Sequence, residues 1–101
     1  MPDAPLSQKE IEDRLRELPG WVLEGDRIHC TYQLRSHFAA VAFVTHIASL
    51  QEELNHHSEL TLGYNTVRLA VNTHSAGDRV TAADCELAER VSAIASSHGA
   101  G

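Results

Sequence analysis

Residues 28–54, IHCTYQLRSHFAAVAFVTHIASLQEEL, change rhythm at Arg35–Ser36. Before that point the chain alternates, with Ile28, Cys30, Tyr32 and Leu34 on one face and His29, Thr31 and Gln33 on the other. This is the period-two pattern of a half-buried strand. After it, Ser36 supplies an N-cap for a helix that reaches about Leu54. The expected buried stripe of this helix is Phe38, Val41, Ala42, Ile47 and Leu54. Ala39, Ala40, Phe43 and Val44 are apolar as well, so its first half is apolar nearly all round and calls for cover on more than one side. In a chain this small, a partner subunit is the expected second cover. The competing reading is an alanine-rich helix that tolerates exposure.

The same logic extends in both directions. Upstream, Ser7-Gln8-Lys9-Glu10 fits a capping box. Ile11, Leu15 and Leu18 recur at helical spacing, and Pro19-Gly20 stops a helix running from about Ser7 to Leu18. Trp21–Glu24 is a short strand, and Glu24-Gly25-Asp26 turns it into the strand at Ile28 as a hairpin. Downstream, Glu59–Leu62 and Thr66–Asn72 flank a turn at Gly63-Tyr64-Asn65, with Val67, Leu69 and Val71 on one face. Ser75–Asp78 reads as a loop. Thr81-Ala82-Ala83-Asp84 forms a second capping box, and Leu87, Val91 and Ile94 give the stripe of a third helix. The closing SSHGAG reads as a frayed tail. The order is helix, two strands, helix, two strands, helix. Short turns favour antiparallel pairing. The expected fold is α+β: a four-stranded antiparallel sheet with three helices packed on one face. Its edge strands need management, and edge-to-edge pairing between subunits would provide it.

The chain has 101 residues, which fits a single domain over 1–101. The formal net charge is −6, and the eight Lys and Arg are scattered. Nucleic-acid binding, which needs a basic face, is therefore disfavoured. The longest apolar run, Phe38–Val44, is far too short to span a bilayer, so no membrane partner is expected. The opening MPDAPLSQKE is polar and unlike a secretion signal, which makes a cytoplasmic location the expectation. Cys30 and Cys85 then read as reduced, mostly buried thiols.

Chemistry concentrates around Leu54–Glu59, LNHHSE. Of the seven histidines, His29, His37, His46 and His98 are isolated and read as surface or half-buried side chains. His56 and His57 follow the end of the second helix, His74 follows the last strand, and Asp84 opens the third helix. The topology brings these element ends together, and sites are commonly built there. Three readings compete. Imidazoles beside carboxylates can give and take protons near neutral pH. Three histidines and a carboxylate could hold zinc, although adjacent histidines diverge and the i, i+4 helical pair is absent, so no metal is expected. Two histidines at a helix C-terminus could also simply complement its dipole, with Asp84 a mere cap.

The series Glu52, His56, His57, Ser58, Tyr64, His74 and Asp84 resembles the signature of the pterin-4a-carbinolamine dehydratases. That signature is an acidic residue, three positions, His-His, then Pro, Cys or Ser, an aromatic, a further His or Trp, and an Asp. LPGWVLEGDRIHCTYQL, the helix ending in NHH, and YNTVRLAVNTH also resemble the family's first hairpin, long helix and last strand. The likeness spans about Ser7 to Ala95. It implies dehydration of 4a-hydroxytetrahydropterin to quinonoid dihydropterin with no cofactor, recycling the pterin spent by aromatic amino acid hydroxylases. It implies His56 and His57 as general acids, His74 as base or substrate-orienting residue, and Asp84 as the carboxylate that orients a histidine. Glu52, Asn55, Ser58, Glu59, Tyr64 and Thr73 would support the pair or touch substrate. It further implies a homodimer or homotetramer through the 36–54 helix and the edge strands. The alternative is a non-enzymatic dimerisation cofactor using the same helix. Ser58 stands where many members carry Pro, Leu60 where many carry Trp, Ala83 where Arg is frequent, and Asn55 where some have Asp. The segment from His74 to Asp84 is one residue longer than in animal members.

Overall fold

The computed structural model describes residues 4–101. The first helix, α1 (Gln8–Leu15), starts from the expected capping box: Ser7 Oγ accepts the Glu10 N–H, and the Glu10 carboxylate accepts the Ser7 N–H. It ends three residues earlier than Leu18. A tight turn, with the Leu18 and Trp21 amides bonded to Leu15 and Leu18 carbonyls, carries the chain onward. Strands β1 (Val22–Glu24) and β2 (Arg27–Gln33) pair antiparallel across a two-residue turn, where Gly25 takes the positive φ of 63° that favours glycine. Helix α2 spans His37–Leu54, with Ser36 as its N-cap. Strands β3 (Glu59–Leu62) and β4 (Thr66–Val71) form the second hairpin, and α3 (Ala82–Ala95) follows its Thr81–Asp84 capping box.

All neighbouring strands are antiparallel, in the order β1-β2-β4-β3. The two hairpins meet through β2 and β4, with Ile28, Cys30 and Tyr32 opposite Val71, Leu69 and Val67. These six side chains make one face of the sheet. They share a single buried cluster with Ile11 and Leu15 of α1, Phe43 and Ile47 of α2, and Leu87 and Val91 of α3. The fold is thus the expected α+β arrangement, with all three helices on that face. Both cysteines are free and buried, and burial pushes both thiols upward in pKa. Among the described residues, no helix is long and apolar enough to cross a membrane.

Two expectations are corrected. The buried face of α2 is Ala39, Ala40, Phe43, Ile47, Leu50 and Gln51; of the expected stripe Ile47 is buried, Ala42 and Leu54 are half-buried, and Phe38 and Val41 are exposed. Phe38 is 83% exposed and Val41 37%. Where a helix is apolar almost all round, composition fixes no rotational phase; here the bulk of Phe43, packed edge-on to Tyr32 with ring centroids 5.2 Å apart, sets it. The C-terminal segment is also docked rather than frayed. Ser96–His98 forms a 3-10 turn, Gly101 exchanges two backbone bonds with Gln33 at 2.8 and 2.9 Å, and His98 bonds His46 at 2.8 Å.

Candidate active site

The site is built where three element ends meet: the C-terminus of α2, the end of β4 and the N-terminus of α3. Helix α2 stops because Asn55 enters the left-handed region (φ 52°, ψ 43°), which Asn tolerates better than most residues. The Asn55 N–H then bonds the Glu52 carbonyl and the His56 N–H bonds the Gln51 carbonyl, the pairing of a Schellman motif. This reversal turns His56 off the helix axis and toward α3.

His56 Nε2 lies 2.6 Å from Asp84 Oδ1. Asp84 is completely buried, and the His56 side chain is 16% exposed. The second carboxylate oxygen accepts the Thr73 hydroxyl and the Thr81 N–H, each at 2.8 Å. Thr73 has a single proton and spends it on Asp84. It must therefore be the acceptor in its 2.8 Å contact with Thr81 Oγ1, which in turn accepts the Ala83 N–H. The direction of every bond is then determined, and each one reaching Asp84 comes from a donor. A carboxylate this deep is tolerable only because its oxygens are satisfied. With Nε2–H given to Asp84, the imidazole is oriented and its Nδ1 is left free to exchange a proton.

Of the other expected residues only Thr73 is hydrogen-bonded to this buried pair, and Tyr64, against His37 at the first turn of α2, lies at the opposite end of that helix from His56. His57 Nε2 bonds Glu52 Oε2 at 2.6 Å, on the surface. His74, whose side chain is 96% exposed, bonds Asp78 Oδ1 at 2.8 Å through Nδ1 and opens the 3-10 turn His74–Ala76. Asp84 thus orients His56, while His74 has its own carboxylate four residues on. Thr73, expected among the supporting residues, is buried in the Asp84 network. Ser58 donates its N–H and hydroxyl to the Gln51 side chain. Glu59 is exposed at the start of β3, 3.8 Å from Arg27 Nη1. Tyr64 is exposed in the β3–β4 turn, its ring stacked on His37 at a centroid distance of 5.8 Å. Among the described residues no three His, Cys, Asp or Glu side chains are arranged to hold a metal ion.

Sequence reasoning missed Gln51, Asp78 and Thr81 as members of the site. For Thr81 the signal was present, because a capping box already commits the Asp84 carboxylate to the Thr81 N–H. Asp78 also had one, its i, i+4 spacing from His74. Gln51 had none, since glutamine is usually exposed.

Residues 4–94 match the family model described as pterin 4 alpha carbinolamine dehydratase. A protein of Streptomyces avermitilis is 66% identical over 100 residues, and one of Streptomyces coelicolor is 60% identical over 100; each match covers 99% of both chains. Both bear that dehydratase's name provisionally. Among solved structures, a transcriptional coactivator/pterin dehydratase from Brucella melitensis superposes with a TM-score of 0.84 at 32% identity, covering 90% of this chain and 98% of that one. A pterin dehydratase-like protein, described as a RuBisCO assembly factor in the alpha-carboxysome, shares the fold at a TM-score of 0.64 and 24% identity, over 75% of this chain and 89% of that one. The matched span, which contains the whole His56–Asp84 network, and the likeness in fold agree: the chain belongs to the pterin-4-alpha-carbinolamine dehydratase family.

Proposed function

We propose that this protein dehydrates a 4a-hydroxytetrahydropterin to the quinonoid dihydropterin and water by histidine-based acid/base catalysis. The observation that carries the reading is the buried Asp84 carboxylate, fully occupied by donors, holding His56 by Nε2. The reaction needs one proton delivered to the C4a hydroxyl, so that it leaves as water, and one removed from N5. The C–O bonding pair leaves with the hydroxyl, and the N5–H pair forms the new double bond. One proton is delivered and one taken up, so the net count is unchanged, and exchange with solvent returns each imidazole to its starting form.

Three imidazoles present a nitrogen not engaged by a carboxylate: Nδ1 of His56, Nδ1 of His57 and Nε2 of His74. His56 and His57 serve as acids toward the hydroxyl. His74 takes the N5 proton or orients the ring. Positioned proton transfers of this kind are worth about 10²–10⁴-fold each. Asp84 orients the His56 ring and prevents it from turning, while Thr73 and Thr81 keep Asp84 in place. Glu52 does the same for His57 at the surface, more weakly.

The test is to generate the 4a-hydroxytetrahydropterin in situ and follow its ultraviolet decay with and without protein. Acceleration that falls by one or more orders of magnitude in His57→Ala and His74→Ala is expected. Decay unchanged at stoichiometric protein would sink the enzyme reading.

A second reading concerns assembly, and exposed Phe38 and Val41 favour it. This face of α2 is where we place a homodimer or homotetramer contact, together with the edge strands β1 and β3. The pure binding alternative predicts a free α2 face in solution and no effect on pterin decay.

A further inference from the structure

Gln51 is a polar side chain in the last turn of α2 that is only 4% exposed. Burying an amide there is unfavourable unless its groups are used. Its side-chain carbonyl accepts two bonds from one residue: the Ser58 N–H at 2.9 Å and the Ser58 hydroxyl. Its backbone carbonyl accepts the His56 N–H at 3.0 Å. All three donors lie in the tripeptide His56-His57-Ser58. One residue therefore fixes both ends of the segment that carries the histidine pair.

We propose that Gln51 is the positioning residue of the histidine pair, its amide carbonyl clamping Ser58 so that His56 and His57 leave α2 at the angle their carboxylates require. Without the clamp, the tripeptide is fixed by the helix-ending bonds on one side and by β3, which begins to pair at Glu59, on the other. Between them His56 must meet a carboxylate 28 residues away with a 2.6 Å bond. A shift of about 1 Å breaks such a bond, and misplacement of that size commonly costs on the order of 10²-fold in rate. The clamp resists such a shift through a neutral group, which places no further charge beside Glu52, Glu53 and Asp84.

The rate readout rests on the dehydratase reading, so a second readout that needs no activity accompanies it. Two variants test the acceptor. Gln51→Leu keeps comparable length and removes the acceptor, and Ser58→Ala removes the hydroxyl but keeps the N–H. Each is followed by histidine side-chain ¹⁵N spectroscopy, reading the His56 Nε2 proton bonded to Asp84, and by kcat and KM for pterin decay below the melting temperature. In Gln51→Leu the Nε2 proton should broaden by exchange, and kcat should fall about 10–100-fold with KM within about threefold. Ser58→Ala, which keeps the N–H donor, should show a smaller loss of both signals. An unchanged Nε2 proton in folded Gln51→Leu overturns the clamp. If Gln51→Leu does not fold, the question falls to Ser58→Ala, whose wild-type Nε2 proton would overturn it. Wild-type protein without dehydratase activity would refute the functional reading while leaving the Nε2 proton to decide the clamp.

Discussion

Asp84→Asn replaces one acceptor oxygen by a donor and leaves the shape unchanged. The surroundings permit only one orientation of the new amide. The Thr73 hydroxyl and Thr81 N–H both point at one oxygen and both donate, so the amide oxygen must stay there. The amide NH₂ then faces His56 Nε2 across what was a 2.6 Å bond. Two donors cannot share that contact, so His56 must take the Nδ1–H tautomer, with Nε2 accepting. The nitrogen facing substrate then holds its proton as part of a neutral imidazole, a far weaker acid than an imidazolium, and the ring loses the carboxylate that orients it. Removal of this kind of carboxylate support lowers kcat by up to about 10⁴ in the serine-protease triad. Here, with three imidazoles sharing the proton traffic, about 10²–10³-fold is expected. The stability cost is comparable. Three bonds to a charged acceptor, worth about 1.5–3 kcal/mol each, become neutral bonds worth about 0.5–1.5, so about 3–4.5 kcal/mol is lost. The checks are pterin decay, urea denaturation, and ¹⁵N spectra that report which ring nitrogen of His56 is protonated. A folded Asp84→Asn protein with a rate within threefold of wild type, or with Nε2 still protonated, would refute the reasoning.

Asn55→Gly should be near neutral in urea denaturation, whereas Asn55→Ala should lose about 1 kcal/mol, because φ at this position is positive and Ala resists it. Glu52→Gln should lower kcat less than tenfold, since its pair with His57 is exposed and such pairs contribute little. Burial, and then the neighbouring His46, hold the His98 imidazole below its usual pKa. The folded form therefore binds this proton less readily than the unfolded chain. The contribution is neutral above the ordinary histidine range and turns unfavourable as pH falls through about 6.5 and below. Stability should decline there in a denaturation series, and His98→Gln should flatten that part of the curve. Phe38→Ser combined with Val41→Ser should shift the sedimentation coefficient toward monomer with a stability change within about 0.5 kcal/mol at dilution, because both side chains are exposed within the chain.

The fold was legible wherever a local rule had a single solution. The two capping boxes placed α1 and α3, because Ser7 and Thr81 each have an acid three residues on. The alternation from Ile28 to Leu34 fixed which face of β2 is buried, since a slip by one residue would turn every apolar side chain outward. The α2 face was not legible for the opposite reason. Phe38, Val41, Phe43 and Val44 present apolar bulk in several directions, and only contact with Tyr32 and the sheet selects Phe43. The C-terminal segment was misread because glycine and serine describe local freedom, whereas its docking depends on Gln33 and His46 far back in the chain.

The site divides along the same line. The order of elements pointed His56, His57, His74 and Asp84 to neighbouring element ends, because each follows or opens an element whose end was readable, and of these the structure joins His56 to Asp84. Their pairing lay beyond spacing, since a hydrogen bond depends on a direction of about an ångström's precision and the sequence encodes only proximity of elements. The left-handed turn at Asn55 supplies that direction for His56, and His74 bonds Asp78 rather than Asp84. One consequence concerns adjacency. Because the first histidine is spent on a buried carboxylate and the second on a surface one, the pair is two differently held imidazoles on neighbouring residues, one rigid and one free to move. A rigid proton donor suits the bond that must be broken at a fixed point on the substrate. A mobile one suits re-equilibration with solvent between turnovers. Exchanging the roles should therefore show in the kinetics: His56→Ala should depress kcat at every buffer concentration, while the deficit of His57→Ala should shrink as an imidazole buffer is added. Equal rescue of both variants by buffer would contradict this division of labour.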